Sequence, residues 1–309
     1  MIAHNEGSTP NEAGGPRLRI AAFRDERGDA WGVVRGNRLT DARQLPGAPA
    51  DILGLLSAPD RDRWLAEAAA AAAVRSLAEV LLLAPISRPP SDVIALGLNY
   101  VEHVDETADA TKQASLPKVP ILFSKAAGSV VGPFDEIRVD RSVVQKVDWE
   151  VELALVIGRG GRDIRPEAAL EHIFGYMVAN DVSGRDLQFL DGGQWYRGKG
   201  LDTFCPTGPW IVTRDEVGDA DSLHLELRVN GVVKQSAGTE QMIFDIPTTI
   251  ASISAGRTLV AGDIILTGTP SGVGIGRTPQ EFLVHGDVVE AEIEGIGLIR
   301  NRVHEVGRD

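Results

Sequence analysis

Two glutamates one residue apart, Glu150 and Glu152, stand near the start of the apolar segment VDWEVELALVIG. Side chains alternate across a β-strand, so both carboxylates point to the same side of a predicted strand. The residues that follow are apolar on both faces, which is typical of a strand buried on both sides. Two carboxylates at the edge of a core repel each other and resist desolvation, so the pattern indicates a neutralising cation. Oxygen ligands favour Mg²⁺, Mn²⁺ or Ca²⁺.

A second Glu-x-Glu pattern illustrates the alternative. In the segment DVVEAEIEGI, Glu290, Glu292 and Glu294 alternate with apolar residues along the whole run. Continuous alternation is typical of a half-exposed antiparallel strand whose acids face solvent. The first pattern differs because its apolar run continues on both faces. A metal site and a solvated strand edge therefore both remain open for Glu150 and Glu152 at this point.

A third carboxylate is available at Asp181, in the segment VANDVSGRDLQ. The preceding residues, 166–178, have apolar spacing that predicts a helix. An Asn-Asp pair ordinarily begins a turn, which is the simpler interpretation. Three carboxylates around a dication would nevertheless leave an octahedral ion with positions for water or a chelating substrate.

His103 and Glu106 lie three residues apart in VIALGLNYVEHVDE, after a short apolar strand that Gly97 ends. On a helical turn this spacing places the imidazole and the carboxylate on one face. A carboxylate that orients an imidazole is the usual arrangement of a general base. The competing interpretation is a solvated acidic helix face that carries one histidine. The polar residues 107–119 predict a loop that acts as a lid.

Cations and a glycine-rich turn complete the candidates. Lys199 lies between two glycines, which allow backbone and ligand to approach closely. Arg185, four residues after Asp181, offers a forked donor for a carboxylate, although either cation could simply be exposed. The segment ILTGTPSGVG can present backbone N–H groups to an anion. It lacks the Gly-Lys-Ser/Thr sequence of a phosphate-binding P-loop.

Composition limits the classes of partner. The chain has 309 residues, a net charge of −13 and a pI near 5.0, which argues against nucleic acid and anionic membrane. No segment has the length of a transmembrane helix, and residues 1–15 lack the features of a signal peptide. The single cysteine, Cys205, excludes an internal disulfide and suits a reducing compartment. We therefore expect a cytoplasmic protein.

The sequence predicts an α+β fold that is predominantly β, in three parts. Residues 1–16 are expected to form a disordered tail, residues 17–86 a small N-terminal α+β domain, and residues 89–305 a strand-rich domain. In the N-terminal part, strands at RLRIAAF and WGVVRG precede an alanine-rich helix predicted over residues 60–83. Further on, the dipeptide Asn230-Gly231 in LELRVNGVVKQ predicts a β-hairpin.

Five segments, in this order, resemble the fumarylacetoacetate hydrolase superfamily in its shorter bacterial form, over residues 89–303: GLNYVEHVDE, DWEVELALVIG, NDVSGRDLQ, RGKGLDTFCPTGPW and LTGTPSGVG. The resemblance implies a β-roll catalytic domain, usually dimeric. It also implies three groups of site residues. The ligands of Mg²⁺ or Mn²⁺ (with Ca²⁺ as an alternative in crystals) would be Glu150, Glu152 and Asp181. The catalytic residues would be His103, Glu106 and Lys199, and the substrate contacts would be Arg185, Gln188, Thr269 and Tyr100. Asn99 stands where the founding enzymes carry a further metal-binding aspartate, so the three-carboxylate site is the better guide.

The activity implied by the resemblance is metal-dependent hydrolysis of a carbon–carbon bond in a 2,4-dioxo acid. Substrates of this type are acylpyruvates and fumarylpyruvate, and cleavage passes through a pyruvate enolate that the metal stabilises. Decarboxylation of oxaloacetate and isomerisation of 2-hydroxyhepta-2,4-diene-1,7-dioate share this intermediate, so both remain alternatives. A non-catalytic keto-acid-binding dimer is a remote third, because a binder needs no positioned base. The expected partners are a small 2-oxo or 2,4-dioxo carboxylate and a second copy of the chain.

Overall fold

The computed structural model describes residues 18–111, 115–191 and 193–307. The predicted disordered tail, residues 1–16, lies outside these ranges. Within them, no helix combines the length and the apolar character that crossing a bilayer requires.

The described residues form strands, α-helices and short 3₁₀ segments. The strands are β1 (Arg19–Asp25), β2 (Gly28–Arg35), β3 (Arg38–Leu39), β4 (Arg75–Ser76), β5 (Leu81–Leu83), β6 (Val93–Gly97), β7 (Ile121–Lys125), β8 (Val130–Val131), β9 (Ile137–Val139), β10 (Val147–Asp148), β11 (Val151–Ile157), β12 (Gly161–Arg162), β13 (Ile173–Asn180), β14 (Ser183–Gly184), β15 (Cys205–Thr213), β16 (His224–Val229), β17 (Val232–Gly238), β18 (Thr258–Leu259), β19 (Ile264–Leu266), β20 (Val288–Ile293) and β21 (Gly297–Glu305). The helices are α1 (Ile52–Ser57), α2 (Arg61–Ala70), α3 (Val101–Thr111), α4 (Arg185–Gln188), α5 (Trp195–Lys199), α6 (Arg214–Val217) and α7 (Ile246–Ser254). The 3₁₀ segments are Ala42–Gln44, Leu77–Glu79, Ala127–Ser129, Pro166–His172, Ala220–Ser222, Thr239–Gln241 and Gly274–Gly276.

Two sheets organise these elements. The larger sheet has the strand order β4-β3-β2-β1-β15-β13-β11-β19-β6-β7, and the second has the order β17-β16-β20-β21-β9. The predicted α+β class with a predominance of strands is confirmed. Because β1 pairs with β15, the N-terminal strands belong to the same sheet as the candidate site. The division into domains at residues 86–89 stays a prediction.

The strand β11 is buried on both faces, as its sequence predicts. Leu153 and Leu155 belong to a core cluster that includes residues of the second sheet and of α7. Ala154 and Val156 belong to another cluster, which includes residues of α1 and α2. Burial of a Leu or Val side chain contributes about 1.5–3 kcal/mol. The start of β11 is therefore a rigid support for the two glutamates.

Two predicted helices are wrong in part. The helix predicted over residues 60–83 ends at Ala70, and Leu81–Leu83 instead form β5, which pairs with β1. The helix predicted over residues 166–178 is a 3₁₀ segment followed by the strand β13. All eight residues of β13 are buried, so its apolar run has no polar face from which a period could be recognised. Pairing with β11 on one side and β15 on the other decides its conformation.

Two other local predictions are confirmed. Asn230 and Gly231 link β16 to β17, with φ values of 51° and 78° that suit a type I′ hairpin. In β20, Val289, Ala291 and Ile293 are buried, while the glutamates between them are partly exposed. This second Glu-x-Glu pattern is therefore a half-exposed strand, as its alternation predicts.

Candidate metal centre and histidine dyad

Three carboxylates come together where β11 begins and β13 ends. The two strands are antiparallel, with Val151 opposite Asn180, so Glu150 and Asp181 lie side by side just beyond the paired residues. The backbone N–H of Asp181 donates to the carbonyl of Glu150 at 2.8 Å. Glu150, Glu152 and Asp181 are buried, and one oxygen from each lies within 4.8 Å of the others. The three oxygens are therefore close enough together to bind one metal ion.

Two of the three carboxylates have cationic partners. The Lys199 Nζ donates to Glu150 Oε2 at 2.7 Å and to Asp181 Oδ2 at 2.8 Å. Arg185 Nη2 donates to Glu150 Oε1 at 2.6 Å, and Lys125 Nζ donates to Asp181 Oδ1 at 2.6 Å. All three cations are buried. Their charges allow Glu150 and Asp181 to remain ionised in the interior.

Glu152 lacks such a partner among the described residues. Its carboxylate accepts one hydrogen bond, from the backbone N–H of Gly268 at 2.6 Å. Burial raises the pKa of Glu152 well above its ordinary value, and the charges of Asp181 and Glu150 raise it further. Burial also opposes ionisation of Glu150, but Lys199 and Arg185 outweigh it and hold the pKa of that carboxyl below its usual range. A hard divalent cation fits this set, because it would supply positive charge beside Glu152 to an all-oxygen site.

Asp148 fixes the position of Arg185. The Arg185 Nε donates to Asp148 Oδ2 at 2.8 Å, and its Nη1 donates to Gln188 Oε1 at 3.0 Å. Asp148 Oδ1 in turn accepts backbone N–H groups from Trp149 and Gly274 at 2.8 and 2.7 Å. The guanidinium is thus held by buried partners on both edges, with Gln188 beside it.

The dyad forms on α3. The His103 Nδ1 lies 2.9 Å from Glu106 Oε1, so the spacing predicted for a helix brings the two groups together. Glu106 also accepts the backbone N–H of Gly272, at 3.0 and 2.9 Å from its two oxygens. With Nδ1 donating to the carboxylate, Nε2 is the ring nitrogen left to act as a base. The loop predicted over residues 107–119 is wrong at its start, because α3 extends to Thr111. Residues 112–114 lie outside the described ranges, and the lid function stays a prediction.

The glycine-rich segment after β19 binds the protein's own carboxylates. Its backbone N–H groups donate to Glu152 from Gly268, to Glu106 from Gly272 and to Asp148 from Gly274. The sequence predicts backbone N–H groups that face an anion, and these three carboxylates are the anions that they face. We call residues 268–276 the carboxylate-binding loop.

His103 of the dyad and Glu150 of the triad line one cavity of about 20 Å³, which has room for about one water molecule. Its polar lining comprises His103, Thr107, Glu150, Arg185, Gln188, Lys199 and Thr269, and the rest is formed by Leu96, Gly97, Leu98, Phe123, Phe189, Trp195 and Ile275.

The predicted substrate contacts fall in different places. Arg185, Gln188 and Thr269 line the cavity, whereas Tyr100 is not part of its lining. The hydroxyl of Tyr100 is buried and has no hydrogen-bond partner among the described residues, and burial raises its pKa above the ordinary value. Thr269 Oγ1 donates to the carbonyl of Val151 at 2.9 Å, so it also anchors β11.

Sequence reasoning missed several residues of the site. Lys125 and Asp148 were not predicted, and neither was Gln235, whose Nε2 donates to Thr269 Oγ1 at 2.8 Å. The available signal for Lys125 was a lysine at the end of the apolar strand ILFSK, which ordinarily indicates an exposed edge. Lys199 ends the helix α5 and is not in a loop.

Asn99, at the position of the founding enzymes' extra aspartate, stabilises the fold instead. Its side-chain amide donates to the carbonyls of Thr267 and Phe244 at 2.8 and 3.1 Å. Its Oδ1 accepts the backbone N–H of Phe244 at 2.8 Å. An aspartate could not donate to these carbonyls.

Relatives of the chain include proteins named as oxaloacetate tautomerases. The human protein named oxaloacetate tautomerase FAHD2A, mitochondrial, is 44% identical over 292 residues, which cover 94% of this chain and 88% of that protein. Oxaloacetate tautomerase YisK of Bacillus subtilis (strain 168) is 43% identical over 228 residues, 74% of each chain.

Solved structures share the fold. The fumarylacetoacetate hydrolase of the psychrophile Exiguobacterium antarcticum is 39% identical with a TM-score of 0.79, over 94% of this chain and all of that one. The 2-hydroxyhepta-2,4-diene-1,7-dioate isomerase of Mycobacterium marinum is 36% identical with a TM-score of 0.72, over the same shares of the two chains. A family model described as fumarylacetoacetate (FAA) hydrolase C-terminal matches residues 92–304. The chain therefore belongs to the fumarylacetoacetate hydrolase family.

Proposed function

We propose that this protein is a divalent-metal-dependent tautomerase that interconverts the keto and enol forms of a small 2-oxo carboxylate, with oxaloacetate as the first substrate to test. The observation that carries the proposal is one oriented base, the His103–Glu106 pair, whose imidazole lines a small cavity together with Glu150 of the carboxylate triad. Keto–enol exchange needs a base and stabilisation of charge on one oxygen, and it needs no attacking water. The names of the human and Bacillus subtilis relatives support the same class of reaction.

The roles of the residues follow from their positions. Glu150, Glu152 and Asp181 would hold the ion, which when bound polarises a 2-oxo group and offsets the charge that develops on its oxygen. His103 Nε2 takes a proton from the carbon next to the 2-oxo group and delivers it to the 2-oxo oxygen, and in the reverse direction it moves the same proton back to the carbon. Glu106 keeps Nδ1 protonated and stabilises the charged ring. Arg185 and Gln188 line the cavity as donors that orient the carboxylate of the substrate.

Carbon–carbon hydrolysis, the activity first predicted from the sequence, has weaker support. Hydrolysis requires a water molecule and a dioxo acid together beside His103, and the relatives' names favour the alternatives that move a proton or act on oxaloacetate.

The second candidate is isomerisation of a 2-hydroxydienoate. It is favoured by the aromatic wall of the cavity, where Phe123 and Trp195 lie 5.1 Å apart between ring centroids, since this wall suits a longer unsaturated chain.

The decisive experiment compares these reactions on purified protein. Enol oxaloacetate is followed by its ultraviolet absorbance, with the spontaneous rate subtracted, in Mg²⁺, in Mn²⁺ and after chelation. We expect metal-dependent tautomerisation that falls roughly 10²–10⁴-fold in His103→Ala, the usual effect of losing a general base. Glu292→Ala, on the half-exposed strand β20, is the matched control and should keep wild-type activity. Faster cleavage of an acylpyruvate than tautomerisation of oxaloacetate would contradict the proposal.

Four finer assignments accompany the proposal. Mg²⁺ is the first ion to test and Mn²⁺ the second, because the donor set is entirely oxygen. A homodimer, a cytoplasmic location and the absence of nucleic-acid and membrane partners stay predictions from the sequence.

A further inference from the structure

Two buried lysines approach Asp181 from opposite oxygens, and their surroundings differ. Lys125 Nζ donates to Asp181 Oδ1 at 2.6 Å, to the carbonyl of Val182 at 3.1 Å and to the carbonyl of Lys199 at 2.5 Å. These three acceptors use all three N–H groups of its ammonium. Lys199 Nζ instead donates to two carboxylate oxygens, Glu150 Oε2 and Asp181 Oδ2. Both of its acceptors belong to the candidate metal triad.

We infer that Lys199 and the divalent cation compete for Glu150 and Asp181, and that metal entry moves the lysine ammonium off these oxygens into the cavity, where it binds a carboxylate of the substrate. The inference rests on the metal assignment of the proposed function. Two cations that share the same two oxygens lie within a few ångströms of each other. In a buried site, the repulsion between the two charges costs more free energy than one hydrogen bond contributes.

The surroundings of Lys199 allow its side chain to move while its backbone stays in place. The backbone carbonyl of Lys199 accepts a hydrogen bond from Lys125, and Lys199 is the last residue of α5. Its side chain lines the cavity, and its Nζ lies 5.1 Å from the centroid of the Phe123 ring. An ammonium over an aromatic face is stabilised by the ring quadrupole. Phe123 also lines the cavity, so its ring keeps an aromatic face near the ammonium as the ammonium leaves the two carboxylates.

The test measures metal binding without substrate. Chelator-treated wild type, Lys199→Met and Lys125→Met are titrated with Mn²⁺, and free Mn²⁺ is followed by its electron paramagnetic resonance signal. Lys199→Met should bind Mn²⁺ more tightly than wild type, by roughly 5- to 150-fold, the usual range of coupling between two ligands. Its unfolding midpoint should fall below that of wild type in chelator and approach it at saturating Mn²⁺.

Lys125→Met is the matched control because it removes the same charge and leaves Lys199 on its two oxygens. It should tighten Mn²⁺ binding less than Lys199→Met does. Equal tightening in both variants would mean that charge alone matters, and it would overturn the exchange. Unchanged or weaker binding by Lys199→Met would overturn it as well.

A measurement on the wild-type chain covers the case in which a variant fails to fold. Lysines are methylated with formaldehyde and a mild reductant, with and without saturating Mn²⁺, and the sites are read by peptide mass spectrometry. Methylation of Lys199 should increase with Mn²⁺, whereas Lys125 should stay protected. Equal labelling of Lys199 under both conditions would overturn the inference. Because no substrate is present, a protein that shows this exchange but lacks tautomerase activity would contradict only the proposed function.

Discussion

Replacement of Glu152 by glutamine should stabilise the chelator-treated protein and abolish its response to divalent metal. Glu152 is the member of the triad without a cationic partner among the described residues, and it accepts only the Gly268 N–H. Glutamine has nearly the same shape, and its carbonyl oxygen can accept that N–H. The substitution therefore removes a buried ionisable group while it keeps the packing and the hydrogen bond. The wild type must either bear the buried charge or bind a proton to avoid it.

The magnitude follows from the separation of the carboxylates. The ligand atoms of Glu150 and Asp181 lie within 4.8 Å of that of Glu152. At an effective dielectric constant of 20, two unit charges at this distance repel each other by about 3–4 kcal/mol. Glu152 faces two such charges, and the nearby Lys199 offsets roughly one of them. The glutamine variant should thus gain about 3 kcal/mol in free energy of unfolding at neutral pH.

The gain should depend on pH in a defined direction. Burial and the neighbouring carboxylates raise the pKa of Glu152 above its ordinary value of 4.5. Between these two pKa values the unfolded chain ionises Glu152 while the folded chain keeps the proton, so the stability of the wild type falls as pH rises. Below the ordinary pKa both states are protonated. The difference between variant and wild type should therefore be small there and should grow toward neutral pH.

Urea unfolding followed by tryptophan fluorescence measures these differences, with chelator or with Mg²⁺, across a series of pH values. Glu292→Gln is the matched control, because Glu292 is partly exposed and is paired with Arg228. It should change the free energy of unfolding by less than about 0.5 kcal/mol. A Glu152→Gln protein that is less stable than wild type in chelator at neutral pH, or that Mg²⁺ still stabilises, would refute the reasoning.

Two further substitutions test the supports of the site. Asp148→Asn should lower the free energy of unfolding by about 3–5 kcal/mol, because it leaves the buried guanidinium of Arg185 without its carboxylate at Nε. Urea unfolding measures this loss, and a change below about 1 kcal/mol would contradict the prediction. Asn99→Asp should lower the free energy of unfolding by about 1–3 kcal/mol, because a carboxylate would face the carbonyls of Thr267 and Phe244. Equal unfolding midpoints for the variant and the wild type would show that these contacts are not needed.

The sequence predicts those features that depend on local spacing. The unbroken apolar run after Glu152 predicts that β11 is buried on both faces, and the strict alternation around Glu292 predicts a half-exposed β20. The three-residue separation of His103 and Glu106 predicts a contact that α3 forms. In each case the period of the element is enough to place the side chains relative to each other.

Features that depend on distant partners could not be predicted in this way. Lys125 meets Asp181 across 56 residues of sequence, and Asp148 meets Arg185 across 37. A lysine at the end of a strand or an aspartate before a tryptophan carries no signal of burial, because the burial arises from how β7 and α4 pack against other elements. The strand β13 was missed for a related reason, since pairing with its neighbours overrides local preference.

The carboxylate-binding loop contacts both the carboxylate triad and the histidine dyad. One backbone segment donates N–H groups to Glu152 of the triad and to Glu106 of the dyad, so the base and the ion ligands are positioned by the same turn. The turn depends on Gly272, whose φ is +105° and where a Cβ would come within 2.0 Å of the carbonyl oxygen of Lys234. A side chain at that position would displace the N–H that holds Glu106, and the loop would carry the displacement toward Gly268. The distance between the dyad and the triad therefore depends on this loop as much as on α3 or β11.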